Sequence, residues 1–392
     1  MNSEMAIGKG FGRFNWKSQN VRYKNFTDIG KYVLLMNDVN YADVEKSLEY
    51  IRKYKDPFNG GCTAAIKRNS KGEIIVGRNM DVTVSQAPAI ISHIVGGKYE
   101  TLSFYFGGNN ADYTYQQLAE MDEDEGVLSL IPYAGTDAMN EAGLYIEANM
   151  REQDKDYERI FCTGTNPGKP RACVLSAATL ACINCSTVKE VVEFLSDSYD
   201  WYALGFDASS YGFGMELWNL ALIVGDAQGN HGLIEFGMNG IYYTPYPNGQ
   251  GNYYIHPKLA EYSTKGSGYG RFAAALEHLD ECETEWDMLH NMENSMMRKV
   301  ILEPGCLGYS DLEQDVNNRR QTPESELKER YIEKNKPFIE PAYEYYYNGN
   351  EQPLRDNGGI WTTSLNFGVN CATKHLILRF WEKDDVIFEY QW

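Results

Sequence analysis

A cysteine at the first position of a strand, directly after two glycines, constrains this chain more than any other feature. Cys62–Arg68 and Glu73–Asn79 read as strands, and Asn69-Ser70-Lys71-Gly72 between them reads as a turn. The pattern predicts a hairpin whose first residue is Cys62. The 61 residues before it read differently. A short apolar run, Tyr32-Val33-Leu34-Leu35-Met36, precedes a helix predicted over Asp43–Lys55. In that helix Val44, Leu48, Ile51 and Tyr54 fall on one face. Pro57 and Asn59-Gly60-Gly61 stop it and give a flexible exit. The chain is therefore expected to divide into an N-terminal segment, 1–61, and a domain, 62–392.

Downstream strands are expected at Ala89–Val95, Thr101–Phe106, Gly143–Asn149, Leu220–Val224, His231–Phe236 and Gly240–Pro245. Three more close the chain, at Ile360–Asn366, His375–Trp381 and Val386–Tyr390. Helices are expected at Arg171–Ile183, Thr187–Ser196, Gly270–Leu279 and Glu283–Met297. Strands come in hairpin-like runs with helices grouped between them, which favours an α+β arrangement of antiparallel sheets over alternating βαβ units. Residues 310–355 are polar and read as a helix-bearing surface insertion.

A net charge of −19 opposes nucleic-acid binding, which calls for a basic face. The acidic run Asp122-Glu123-Asp124-Glu125 reads as a solvated loop. No stretch approaches the ~18 apolar residues of a membrane span. The first twenty residues lack a signal-peptide core, so a cytoplasmic location is expected. There the eight cysteines are expected to be unpaired. Cys182-Ile183-Asn184-Cys185 has no second C-x-x-C to complete a zinc site and ends a predicted helix, which fits buried thiols better than redox chemistry. His231, His256 and His375 lie on or beside strands and read as packing or surface histidines rather than partners of a catalytic cysteine. Gly266-Ser267-Gly268-Tyr269-Gly270 lacks the spacing of a nucleotide loop and reads as the turn opening a helix.

The chemistry gathers at Cys62. Its thiol could attack the carbonyl of Gly61, and hydrolysis of the resulting thioester would leave a nucleophile and a free α-amine on one residue. An α-amine has a reference pKa of ~7.7–8.0, so it can act as general base without a histidine. The hairpin returns Arg78 and Asp81 beside Cys62; a cation favours the thiolate, and a carboxylate can hold the terminal amine.

Cys62-Thr63 followed by Gly77-Arg78-Asn79-Met80-Asp81 resembles the choloylglycine hydrolase and penicillin V acylase family of N-terminal-nucleophile hydrolases. Met139-Asn140-Glu141-Ala142-Gly143-Leu144, ending in Ala148-Asn149-Met150, is similar to the family's asparagine strand. Gly268-Tyr269-Gly270-Arg271-Phe272 is similar to its later arginine motif, and Ile360-Trp361-Thr362-Thr363-Ser364 to its C-terminal threonine-serine strand. The resemblance covers about residues 62–392. It implies a four-layer αββα sandwich and hydrolysis of a linear amide in a small-molecule N-acyl substrate, such as a conjugated bile salt, penicillin V or an N-acyl amino acid. Carried over, Cys62 is nucleophile and, through its amine, base. Arg78, Asp81 and Arg271 position and tune it. Asn149, through its backbone N–H, and Asn252, chosen over nearby Asn248, form the oxyanion hole. No cofactor and no metal is implied.

Two departures stand out. Sixty-one residues before the cysteine are more than bile-salt-type members carry, and look like the isopenicillin N acyltransferase and acid ceramidase branches. Only 18 residues separate Asn252 from Arg271, little room for the hairpin through which many bile salt hydrolases form tetramers, so homo-oligomer formation stays open. Two rival readings also stay open: an acyltransferase on the same scaffold, and a non-catalytic binding protein with residues 1–61 as a permanent cap.

Overall fold

The computed structural model describes residues 6–7, 11–14, 21–26, 31–40, 60–83, 89–106, 133, 135–151, 165–207, 215–237, 240–260, 269–295, 300–301, 360–380 and 386–392. The helix expected at Asp43–Lys55, the acidic run at 122–125 and the insertion at 310–355 lie outside them.

Two large sheets dominate. Across the first run β1 (Ala6–Ile7), β21 (Val386–Gln391), β20 (His375–Phe380), β19 (Ile360–Asn370), β6 (Ile74–Thr83), β5 (Gly60–Arg68) and β17 (Gly249–Gln250), with β18 (Val300–Ile301) paired to β19. The second runs β16 (Gly240–Pro245), β15 (His231–Gly237), β14 (Met215–Gly225), β10 (Tyr145–Arg151), β9 (Asp137–Asn140), β8 (Thr101–Phe106), β7 (Ala89–Val95), β4 (Lys31–Asn40), β3 (Val21–Phe26) and β2 (Phe11–Phe14), with β13 (Leu204–Asp207) on β14. Pairing is antiparallel throughout both sheets except between β4 and β7. Strands before Cys62 thus join both sheets: β1 adds to β21, and β2–β4 extend from β7.

Alternation along the strands builds the layers. Ala64, Ile66, Ile74 and Val76 face the second sheet and pack with Leu102, Phe104, Tyr145, Ala221 and Ile223. Ala65 and Ile75 face the other way, against Ala275, Met288 and Met292 of α3 (Tyr269–Leu276) and α4 (Glu285–Met292). On the second sheet Ile146, Ala148, Leu220, Leu222 and Val224 turn outward to α1 (Ala177–Asn184) and α2 (Val188–Asp197). Three apolar clusters therefore separate four layers, helix, sheet, sheet and helix, which is the α+β αββα sandwich expected. Because each sheet is covered on both faces, apolar side chains are buried on both faces of its strands. Among the described residues no helix is long and apolar enough to cross a membrane.

Two helices differ from the expectation. Arg171–Cys173 forms β11, parallel to β12 (Asp200–Tyr202), a 3₁₀ turn follows at Val174–Ser176, and α1 starts only at Ala177. The pairing with Asp200–Tyr202, distant in sequence, overrides the local helical pattern. The helix expected at Glu283–Met297 spans Glu285–Met292, because Thr284 and Asp287 form a capping box at its start and a 3₁₀ turn, Glu293–Ser295, ends it.

Candidate active site

Cys62 is the third residue of β5, and it pairs with Met80 of β6 across the predicted hairpin. On the other side of β5 the strand β17 is only two residues long, matching Ala64 and Ala65 with Gln250 and Gly249. The ladder is therefore over by Cys62, and its backbone N–H needs another acceptor. Asn252, two residues beyond β17, supplies it: the side-chain Oδ1 lies 3.1 Å from the Cys62 nitrogen. Gly249 sets up this approach, with φ +143° and an ideal Cβ that would lie 2.0 Å from the Ala64 carbonyl oxygen. Only glycine fits so close to a neighbouring strand.

All six residues singled out from the sequence meet here, and all are buried. Arg78 Nη2 is 3.2 Å from Cys62 Sγ. Asp81 forms an ion pair with Arg271, whose Nη2 also donates to Asn252 Oδ1 at 2.9 Å and whose Nη1 reaches Thr63 Oγ1 at 3.3 Å. Asn252 Oδ1 thus accepts from both Cys62 and Arg271, while its Nδ2 donates to the Met150 carbonyl at 3.0 Å. Asn248 uses its backbone carbonyl on the Ile66 N–H, so Asn252 is the asparagine on Cys62.

Asn149 sits differently from the expectation. Ala148 N–H donates to Thr136 across β9, so alternation turns the Asn149 N–H toward β14, where Asn149 pairs with Ala221. It is the Asn149 side chain that meets the Asn252 loop, with Nδ2 at 3.4 Å from the carbonyls of Gln250 and Gly251. Its Oδ1 is buried with no hydrogen-bond partner among the described residues.

Four contributors were not singled out from the sequence. Met80 Sδ lies 3.6 Å from Cys62 Sγ. Asp137 forms an ion pair with Arg78 Nη1 and accepts from Tyr145 Oη at 2.8 Å. Glu147 lies directly across from Asp137 in the β9–β10 ladder and is 2.9 Å from Arg78 Nε. Gln250 Nε2 donates to Glu147 at 2.5 Å. The available signal was period-two alternation: Tyr145, Glu147 and Asn149 share one face of β10. A β-bulge between Thr363 and Leu365 of β19 falls opposite Asp81 and Met80, level with Cys62. Bulges are common next to active sites.

The electrostatics follow from one cation among several anions. Burial pushes the Cys62 thiol up to about 12; Arg78 opposes this, and Glu147, Asp81 and Asp137 reinforce it. Burial alone would lower the Arg78 guanidinium, but Asp137, Cys62 and Glu147 raise it above the ordinary arginine value. Burial raises Glu147 to about 7 and lifts Asp137 above the usual carboxylate range, in both cases against the pull of Arg78. At neutral pH these surroundings keep the thiol protonated.

None of His231, His256 and His375 contacts Cys62. His231 packs on Tyr246, His256 on Tyr242, and His375 bridges Glu285 and Glu389. Cys182 and Cys185 are buried free thiols. Among the described residues no group of His, Cys, Asp and Glu converges to hold a metal ion.

Fold and site together define an αββα sandwich whose cysteine is the third residue of a central strand, two residues later than the expected strand start, amid two arginines, an aspartate and two asparagines. No protein-family model and no curated protein sequence matches the chain. Among solved structures it is similar to penicillin V acylase from Agrobacterium tumefaciens, at 13% identity over 84% of this chain and 86% of that one, with a TM-score of 0.44. It is also similar to conjugated bile acid hydrolase from Clostridium perfringens in two variant structures, at 12% and 13% identity, 84% and 92% coverage, and TM-scores of 0.46 and 0.45. At these values the likeness carries no weight for activity, and the architecture rests on the chain's own layers.

Proposed function

We propose that the protein is a cysteine hydrolase of linear amide bonds in small N-acyl substrates, latent until the Gly61–Cys62 bond is cut. The observation that carries this reading is the pair of contacts on Cys62: its N–H on Asn252 Oδ1 at 3.1 Å and its Sγ on Arg78 Nη2 at 3.2 Å. They hold nitrogen and sulfur of one residue in fixed places, which a nucleophile that supplies its own base requires.

Maturation begins when the Cys62 sulfur attacks the Gly61 carbonyl carbon. The C–N bond breaks, the thiol proton ends on the departing nitrogen, and a Gly61 thioester remains. Water hydrolyses it, leaving a Gly61 carboxylate and a Cys62 bearing thiol and α-amine. Asn252 Oδ1, which accepts from the amide N–H, is placed to accept from that amine and aim its lone pair. In turnover the amine takes the thiol proton as sulfur attacks the substrate carbonyl, and gives it to the leaving amine. Water then releases the acid and restores the thiol. Arg78 offsets negative charge on sulfur, and Arg271 holds Asp81 and Asn252 in place. The Asn252 Nδ2 group supplies an oxyanion donor, typically worth ~2.7–4 kcal/mol.

Assay of wild type and Cys62→Ala against conjugated bile salts, penicillin V and N-acyl amino acids tests the reading. Release of the acid by wild type alone supports it, and hydrolysis that survives Cys62→Ala rejects it. Running each donor with and without an amine acceptor separates hydrolysis from acyl transfer.

A further inference from the structure

A buried ion pair outside the machinery above brackets the Asn252 loop. Arg151, at the end of β10, and Glu235, on β15, are 3.2 Å apart through Nε and Oε1, with both side chains inaccessible to solvent. Arg151 Nη1 donates to the Gly251 carbonyl at 2.7 Å, and its Nη2 to the Gln250 side-chain oxygen. Glu235 accepts from the backbone N–H groups of Ile255 at 2.9 Å and His256 at 2.7 Å. These bonds grip the chain on both sides of Asn252, in a segment with no regular hydrogen-bond ladder of its own.

Removing two charges from water costs several kcal/mol, and a buried pair often stabilises no better than apolar residues of equal volume. What this pair adds over an apolar substitute is four directed bonds onto one loop. We propose that Arg151 and Glu235 are positioning residues that fix Asn252 against Cys62, with the polar link Arg151–Gln250–Glu147 tying the same loop to Arg78. The catalytic consequence rests on the hydrolase reading; the positioning itself does not.

Hydrogen exchange in an uncleavable Cys62→Ala background tests the positioning without any turnover. Arg151→Lys keeps the charge but cannot make the three-armed contact, and Glu235→Gln is isosteric if the first variant folds poorly. The expected result is faster exchange at Ile255, His256 and the residue 62 amide, with Leu220–Val224 unchanged. Unchanged exchange at residue 62, or a uniform rise through β14, overturns the proposal. In the cleavable enzyme each variant should lower kcat by roughly tenfold or more with little change in KM, as loss of transition-state contacts does. That loss should vanish in an Asn252→Ala background, whereas a merely structural defect would add to it. A wild type without amidase activity would fail the functional reading and leave the exchange result to decide the positioning.

Discussion

Arg78 presents one guanidinium nitrogen to Cys62 Sγ at 3.2 Å and spends its Nε and Nη1 on two buried carboxylates, Glu147 and Asp137. A single cation thus serves a thiol and two carboxyl groups, and the carboxyl groups hold the guanidinium in the orientation in which it meets sulfur.

Arg78→Met should abolish activity and destabilise the fold by ~3–5 kcal/mol, the usual cost of leaving buried charge uncompensated. Asp137 and Glu147 would then face each other across the β9–β10 ladder with no cation between them. Adding Asp137→Asn and Glu147→Gln should recover much of the thermal stability and none of the activity. Thermal unfolding and an amidase assay on the single and triple variants check both outcomes.

Glu147 gives a pH signature. Burial raises its carboxyl from 4.5 to about 7 in the folded chain, so between those values the folded state keeps a proton that the unfolded state has released. Stability should therefore fall as pH rises from about 4.5 to 7, and Glu147→Gln should flatten that slope. Melting temperatures across the range read it; an unchanged slope would show that Glu147 does not titrate there.

His375 acts with the same sign in a higher window. The hydrogen bond to Glu285 at 2.6 Å, with the charges of Glu285 and Glu389, raises its pKa above 6.5. Its contribution is complete below 6.5 and is lost as pH rises through the folded value. His375→Gln should lower the melting temperature at pH 6 and change it little well above the folded pKa.

Gly249→Ala should cost ~1–3 kcal/mol or more in backbone strain alone, since the new Cβ meets the Ala64 carbonyl in a conformation that favours glycine. It should also reduce amidase activity, because β17 delivers Asn252 to Cys62. Normal activity in this variant would show that the β5–β17 contact is dispensable for the site.

The local parts of this arrangement were legible in the sequence. The turn at Asn69–Gly72 and the strands beside it set the register that pairs Cys62 with Met80, so Arg78 and Asp81 could be placed near Cys62 before any tertiary contact was known. Asn252 and Arg271 came through motif resemblance, since they reach Cys62 from 190 and 209 residues away. Asp137, Glu147, Arg151 and Glu235 were missed for one physical reason. A charged residue alternating with apolar ones reads as a solvent-facing position, and it is the first sheet, packed on the second, that buries this face. The helix predicted from Arg171 begins only at Ala177, because the pairing partner that makes Arg171–Cys173 a strand lies at Asp200–Tyr202.

The N-terminal strands sharpen the maturation question, because β1 and β2–β4 are hydrogen-bonded into the sheets that the remaining chain completes. Denaturing intact mass with N-terminal sequencing tests the central claim most directly. Wild type should give a 331-residue species beginning at Cys62, since 392 − 61 = 331, and Cys62→Ala should stay whole. An uncut wild type that nevertheless hydrolyses an amide would contradict it.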